Sequence, residues 1–174
     1  SRLKPIFENP EIKKVGFDLK RVKHVLQNYE VKFDPIDSDI LLQSYIVNSV
    51  ATKHHLDEIV HHYLGLNIVD LNEKLGRGKA KLNMSQLPVL DFFKYAAEKV
   101  DYIYRLSILL AHSLKSEGQL QGVYHYFERP LVEVLQRMER NGIKVDSQAL
   151  NQQSKELGAQ LDKLQKEVFE LAGE

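Results

Sequence analysis

Four histidines, His54, His55, His61 and His62, stand close together and invite a metal reading. Positions seven apart share a helix face, but that two-turn gap is too wide for one zinc ion, whose helical ligands stand three or four residues apart. No carboxylate or fifth histidine completes a set, so solvated or partly buried histidines are expected, with no metal site. The run Gly76-Arg77-Gly78-Lys79-Ala80-Lys81 has the composition of a phosphate loop. It lacks the longer glycine spacing, the supporting strand and the Ser or Thr after Gly-Lys that a nucleotide loop needs. Arg77, Lys79 and Lys81 are instead the candidate nucleic-acid-binding residues, since point cations suffice to contact a phosphate backbone. Asp34, Asp37 and Asp39 could share a divalent ion through oxygen ligands. Aspartates are also ordinary turn and N-cap residues, and capping alone accounts for Asp39. No serine–histidine or lysine-centred nucleophile arrangement stands out, so spacing alone assigns no catalytic residue.

The elements that position these groups read as mostly helical. Helices are expected over about 5–9, 18–28, 38–50, 55–64, 85–116 and 124–141, with a final helix capped by Asp146 or Ser147 and short extended pieces at 12–17 and 33–36. Asp18 is expected to cap the second helix with its side chain, and Gly65 to close the fourth. Leu42, Tyr45 and Ile46 mark the expected inner face of the third. In the longest helix Leu90, Phe93, Ala97, Val100 and Tyr104 form one stripe, widened by Ile103, Leu106 and Leu110. In the last, Leu157, Leu161, Leu164, Val168 and Leu171 make a coiled-coil-like seam with no obvious partner. The polar stretch Ser116-Glu117-Gly118-Gln119 is the expected domain boundary.

The 174 residues include 24 basic and 24 acidic side chains, 43% hydrophobic residues and no cysteine. This excludes disulfides, thiolate catalysis and cysteine-ligated metal clusters, and argues against a whole-surface DNA coat. A cytoplasmic setting is expected, with no membrane partner. Neutrality is itself a cancellation: residues 1–115 carry 17 basic against 14 acidic groups, and residues 116–174 carry 7 against 10.

Residues 3–26 (LKPIFENPEIKKVGFDLKRVKHVL), 33–49 (FDPIDSDILLQSYIVNS), 75–106 with Tyr95-Ala96-Ala97-Glu98, and 128–146 (ERPLVEVLQRMERNGIKVD) resemble, in order, bacterial DNA polymerase I of the family A polymerases. The last stretch carries the most specific match, through its proline, methionine, Asn-Gly and terminal aspartate. The resemblance implies a mainly α chain with a small β component. Residues 1–117 would be the C-terminal part of an RNase H-like 3′–5′ exonuclease-type α/β domain, and residues 118–174 the start of the polymerase domain with a long thumb-type helix. It implies that the chain is a segment of a longer polymerase, without the palm and fingers. It also implies DNA as the parent's partner, Mg²⁺ as the parent's cofactor and no cofactor for this segment.

Proofreading in the family uses two divalent metals held by carboxylates. The family's first motif, Asp-x-Glu, lies outside this sequence. At the second, Asp18 stands at the asparagine position, Arg21 at the aromatic and Val22 at the metal-binding aspartate. At the third, Tyr95 is retained but Lys99 replaces the aspartate. Asp101 lies roughly 200° around a helix from Lys99 and does not restore it. The expectation is a segment without enzymatic activity of its own, structural and weakly DNA-binding. The alternatives are an active exonuclease with relocated ligands, or a helical adaptor that associates through the seam from Leu157 to Leu171.

Overall fold

The computed structural model describes residues 2–50, 53–69, 75–76 and 82–173. Its elements are α1 (Lys4–Glu8), β1 (Lys14–Gly16), α2 (Leu19–Gln27), β2 (Ile36–Asp39), α3 (Ile40–Val47), α4 (Leu56–Leu64), a 3₁₀ turn (Met84–Gln86), α5 (Val89–Ser116), α6 (Gly118–Val123), a π-helical turn (Tyr124–Glu128), α7 (Arg129–Asn141) and α8 (Ser147–Ala172). The mainly helical reading with a small β component holds. Residues 1–140 form one compact unit and residues 141–174 a second.

In the first unit β1 and β2 pair in parallel, Val15 opposite Ser38 and Gly16 opposite Asp39. The second strand begins at Ile36, later than the expected Phe33. Pro35 has no N–H for a ladder, and Phe33 instead turns into the core beside Leu19, Ile36 and Val132. Pro35 still contributes its carbonyl, which accepts the Lys14 N–H at 3.1 Å. A Cβ at Gly16 would meet Leu19 Cδ2 at 2.4 Å, so any larger residue there displaces a buried side chain.

The main core joins Ile40 of α3, Leu56, Ile59 and Val60 of α4, and Leu106 and Leu110 of α5. Two expected faces differ from this. Helix α3 buries Ile40, Gln43 and Ser44, while Tyr45 stays exposed. Leu90, Phe93, Val100 and Tyr104 of α5 are exposed, and burial falls on Leu106, Ser107, Leu110 and Leu114. The reason is positional: α3, α4 and β1 pack on α5 where Leu106, Leu110 and Leu114 face inward.

Helix α4 ends at Gly65, whose φ of 66° is the left-handed cap conformation glycine adopts without strain. The π-helical turn ends at Glu128, two residues before Pro130. Pro130 has no N–H, so the carbonyl four residues earlier loses its ordinary partner and the backbone changes register there.

In the second unit Asp146 caps α8, its Oδ1 accepting from the Gln148 and Ala149 N–H groups at 3.0 Å each. No described residue of α8 is buried; the seam residues Leu157 to Leu171 are all 60% exposed or more. No described helix is long and apolar enough to cross a membrane.

Candidate functional site

Tyr95 and Lys99 lie one turn apart on α5, so their side chains share a face. The Lys99 ammonium donates to the Tyr95 hydroxyl at 2.9 Å and lies 4.8 Å from its ring centre. No carboxylate among the described residues makes an ion pair with it. Tyr95 packs against Leu75 and Leu87, both buried. The Leu82 N–H donates to the Leu75 carbonyl at 2.8 Å, next to this packing. A cleft of about 440 Å³ opens beside Tyr95 and Lys99, walled by Phe17, His55, Leu56, Asp57 and Met84.

The other position relevant to metal chemistry is on α2. Val22 is partly buried and packs with Leu19, Phe33, Ile36 and Val132. Asp18 precedes the helix with a left-handed φ of 53°, and its side chain does not cap it. The cap comes from Asp39, 21 residues on. Asp39 Oδ1 accepts from the Asp18 N–H at 3.1 Å and Oδ2 from the Leu19 N–H at 2.8 Å. The same Oδ1 accepts from the Leu41 N–H at 3.1 Å, so one carboxylate starts both α2 and α3. Burial pushes Asp39 above the ordinary carboxylate range, partly opposed by these three N–H donors. A two-metal site does not fit these residues: Val22 offers no oxygen, and Lys99 brings a cation.

The remaining sequence candidates separate in space. Arg77, Lys79 and Lys81 lie outside the described residues. Asp34 takes a bond from Lys23 at 2.9 Å and Asp37 pairs with Lys13 at 3.4 Å, so the three aspartates face different partners. His54 Nδ1 meets the Ser44 hydroxyl at 3.1 Å, with its ring edge-on to Tyr45. His55 precedes α4, and His61 and His62 lie in its last turn. No group of three or more His, Asp or Glu among the described residues could hold a metal ion.

Sequence reasoning missed the contact between α2 and α7. Lys23, 8% exposed, donates to both Asp34 and Glu133. Lys20 and His24 both reach Glu139, Gln136 meets Gln27, and Arg140 donates to Asn28 at 2.6 Å. The spacing 20, 23, 24, 27 against 133, 136, 139, 140 was a legible signal, but only once these two helices were known to meet. The Lys23 bond holds Glu133 below the usual carboxylate range. Lys23 itself is penalised by burial, yet its two carboxylate partners leave it raised overall. Tyr124 was also missed. Its hydroxyl accepts from the Asp39 N–H at 2.9 Å and donates to the Asp37 carbonyl at 3.0 Å, and burial pushes it up to about 12.

Residues 1–106 match the family model described as DNA polymerase I, ribonuclease H-like domain. Relatives named DNA polymerase I come from Pseudomonas aeruginosa, 36% identical over 99% of this chain, and Rhizobium leguminosarum, 35% identical over 99%. A Bacillus subtilis DNA polymerase I is 32% identical over 96% of the chain. The chain spans only 19%, 17% and 18% of these three relatives. Among solved structures, the POL domain of Pol1 from M. smegmatis, in complex with DNA primer-template and dNTP, aligns with a TM-score of 0.77 and 20% identity. It covers 99% of this chain and 26% of that one. Brucella melitensis NrnC with bound Mg²⁺ aligns at 0.60 and 18% identity, over 84% of this chain and 69% of that one. At such identities these two likenesses concern the fold alone.

Proposed function

The chain belongs to the DNA polymerase I ribonuclease H-like domain family, and from that premise we propose that it is a segment of a DNA polymerase I acting in the cytoplasm in replication and repair. In this reading residues 118–174 open the polymerase region with its thumb-type helix, the parent carries out template-directed synthesis with Mg²⁺, and this segment does no chemistry. The exonuclease-like part supports the polymerase body and touches DNA weakly through Arg77, Lys79 and Lys81.

One observation carries the proposal. At the position where the resemblance places a metal-binding aspartate, Lys99 directs an ammonium at Tyr95. A cation there repels a divalent ion by several kcal/mol, about 4 per unit charge at ~4 Å and moderate screening. The α2–α7 bonds give the supporting role a physical basis, because they tie the start of the polymerase region to the exonuclease-like part. The experiment is nucleotide release from the 3′ end of single-stranded DNA by the full-length parent, with Mg²⁺ or Mn²⁺. No release above a mock purification is expected. Release that copurifies with the polymerase overturns the reading and favours relocated ligands.

A second reading rests on the exposed seam of α8. Each leucine left in water forgoes roughly 1.5–3 kcal/mol of burial, so this chain, expressed alone, self-associates through Leu157, Leu161, Leu164, Val168 and Leu171. Light scattering at high micromolar concentration checks it, and a strictly monomeric species counts against it.

A further inference from the structure

We infer that Asn141 is a site of spontaneous covalent modification, converting through a cyclic succinimide to a mixture of aspartyl and isoaspartyl residues. The site is independent of the DNA contacts proposed above.

Asn141-Gly142 is the one Asn-Gly pair in the sequence. The reaction needs an asparagine carboxamide, a following backbone nitrogen that reaches its Cγ, and water. Glycine favours the second, because no Cβ crowds the nitrogen and the backbone turns freely. Gly142 has a left-handed φ of 69°, and a Cβ built on it would meet nothing within 4 Å, so a ring closes into open space. Residues 137–150 are all exposed, so hydroxide and water reach the site. Asn141 is also the last residue of α7. A helical ψ holds the next nitrogen away from Cγ, but terminal turns fray, and no further helical residue holds Asn141 in place.

Asn9, Asn28 and Asn151 are each held back. Pro10 follows Asn9 and has no N–H to supply the nucleophile. The Asn28 carboxamide oxygen accepts from Arg140 at 2.6 Å, and the next N–H, of Tyr29, donates to the Leu26 carbonyl at 3.0 Å. Asn151 lies inside α8, where the helix fixes its ψ.

In the first step hydroxide removes the Gly142 amide proton and the nitrogen attacks Asn141 Cγ. The bond from Cγ to the side-chain nitrogen breaks, and that nitrogen leaves as ammonia after taking a proton from water. Water then opens the ring at either carbonyl. Cleavage at Cγ gives aspartate, and cleavage at the main-chain carbon gives isoaspartate. One water enters, one ammonia leaves, and nothing is oxidised or reduced. Either product sets a carboxylate at the C-terminal end of α7, which the helix dipole disfavours.

The test incubates this chain at mildly alkaline pH and physiological temperature, digests it after glutamate at acidic pH, and sequences peptide 140–156 by mass spectrometry. That peptide also contains Asn151, the internal control. Asn141 should convert faster than Asn151 by about tenfold or more, a barrier lower by at least ~1.4 kcal/mol. The rate should rise in proportion to hydroxide, and both isomers should form. Gly142→Ala should slow conversion by a similar factor. Because alanine is strained at positive φ, Asn141→Gln serves as the variant that leaves the backbone alone, and its longer side chain should stay unconverted over the same period. A synthetic peptide of residues 137–147 sets the rate without the fold. Asn141 intact in the chain while the peptide converts overturns the inference, since the helix end then protects the site. Aspartate without isoaspartate, or conversion of the Asn141→Gln variant at the wild-type rate, overturns it too, because both mean direct hydrolysis rather than ring closure.

Discussion

Helices α5 and α8 are near twins on paper, 28 and 26 residues long, each with large apolar residues recurring at three and four. In the structure they are opposites. Helix α5 buries Leu106, Leu110 and Leu114 under residues from α3, α4 and β1, whereas α8 buries none of its described residues. Even within α5 the contrast repeats, since Phe93, Val100 and Tyr104 are exposed. Periodicity shows that a helix has an apolar face. Whether the face is covered depends on residues such as Ile40 and Val60, far away in sequence.

The sharpest way to break this contrast is to truncate one leucine from each helix. Leu110→Ala should lower the unfolding free energy by about 3–4 kcal/mol, because it empties a fully buried site. Leu161→Ala should change it by no more than about 0.5 kcal/mol. Urea unfolding of both variants decides it, and similar losses would mean that α8 is covered in solution. Tyr124→Phe comes next, at about 1–3 kcal/mol, since it leaves the buried Asp39 N–H without its acceptor. A loss under about 0.5 kcal/mol would show that the hydroxyl is replaceable there.

The pH response of the α2–α7 contact is smaller. Glu133 is held below its ordinary value of 4.5 by Lys23, so it adds stability above that value and loses it as pH falls through the lowered one. With Glu133 about half-exposed, the gain is about 1 kcal/mol or less. Lys23→Met should remove this acid-side slope, seen by comparing thermal unfolding at neutral pH with unfolding well below pH 4. An unchanged slope would place the acid sensitivity elsewhere.

Much of the element order was legible because its signals are local. Gly65 ends α4, Asp146 caps α8, and helical spacing runs through α5. What was not legible depends on long-range pairing. Asp18 has the right type and place for an N-cap, yet Asp39 does the capping from the neighbouring strand's end. The Tyr95–Lys99 pair could be read from an i, i+4 spacing, but the cleft walls come from Phe17, His55 and Met84. Neither composition nor periodicity could have brought those together. Arg77, Lys79 and Lys81 were legible as a basic run, and they lie outside the described residues.

Tyr124 also bears on the order in which the chain can be completed during synthesis. Its hydroxyl closes the backbone at Asp37 and Asp39, 85 and more residues earlier. As the polypeptide leaves the ribosome, the end of β2 and the shared start of α2 and α3 lack this partner until residue 124 has emerged. Val132 and Lys23's partner Glu133 arrive later still. The contacts around Asp37, Asp39 and Lys23 are therefore complete only once residues 124–133 have joined them. A nascent chain halted at residue 117 should be more open to protease near Asp39 than one halted at residue 140.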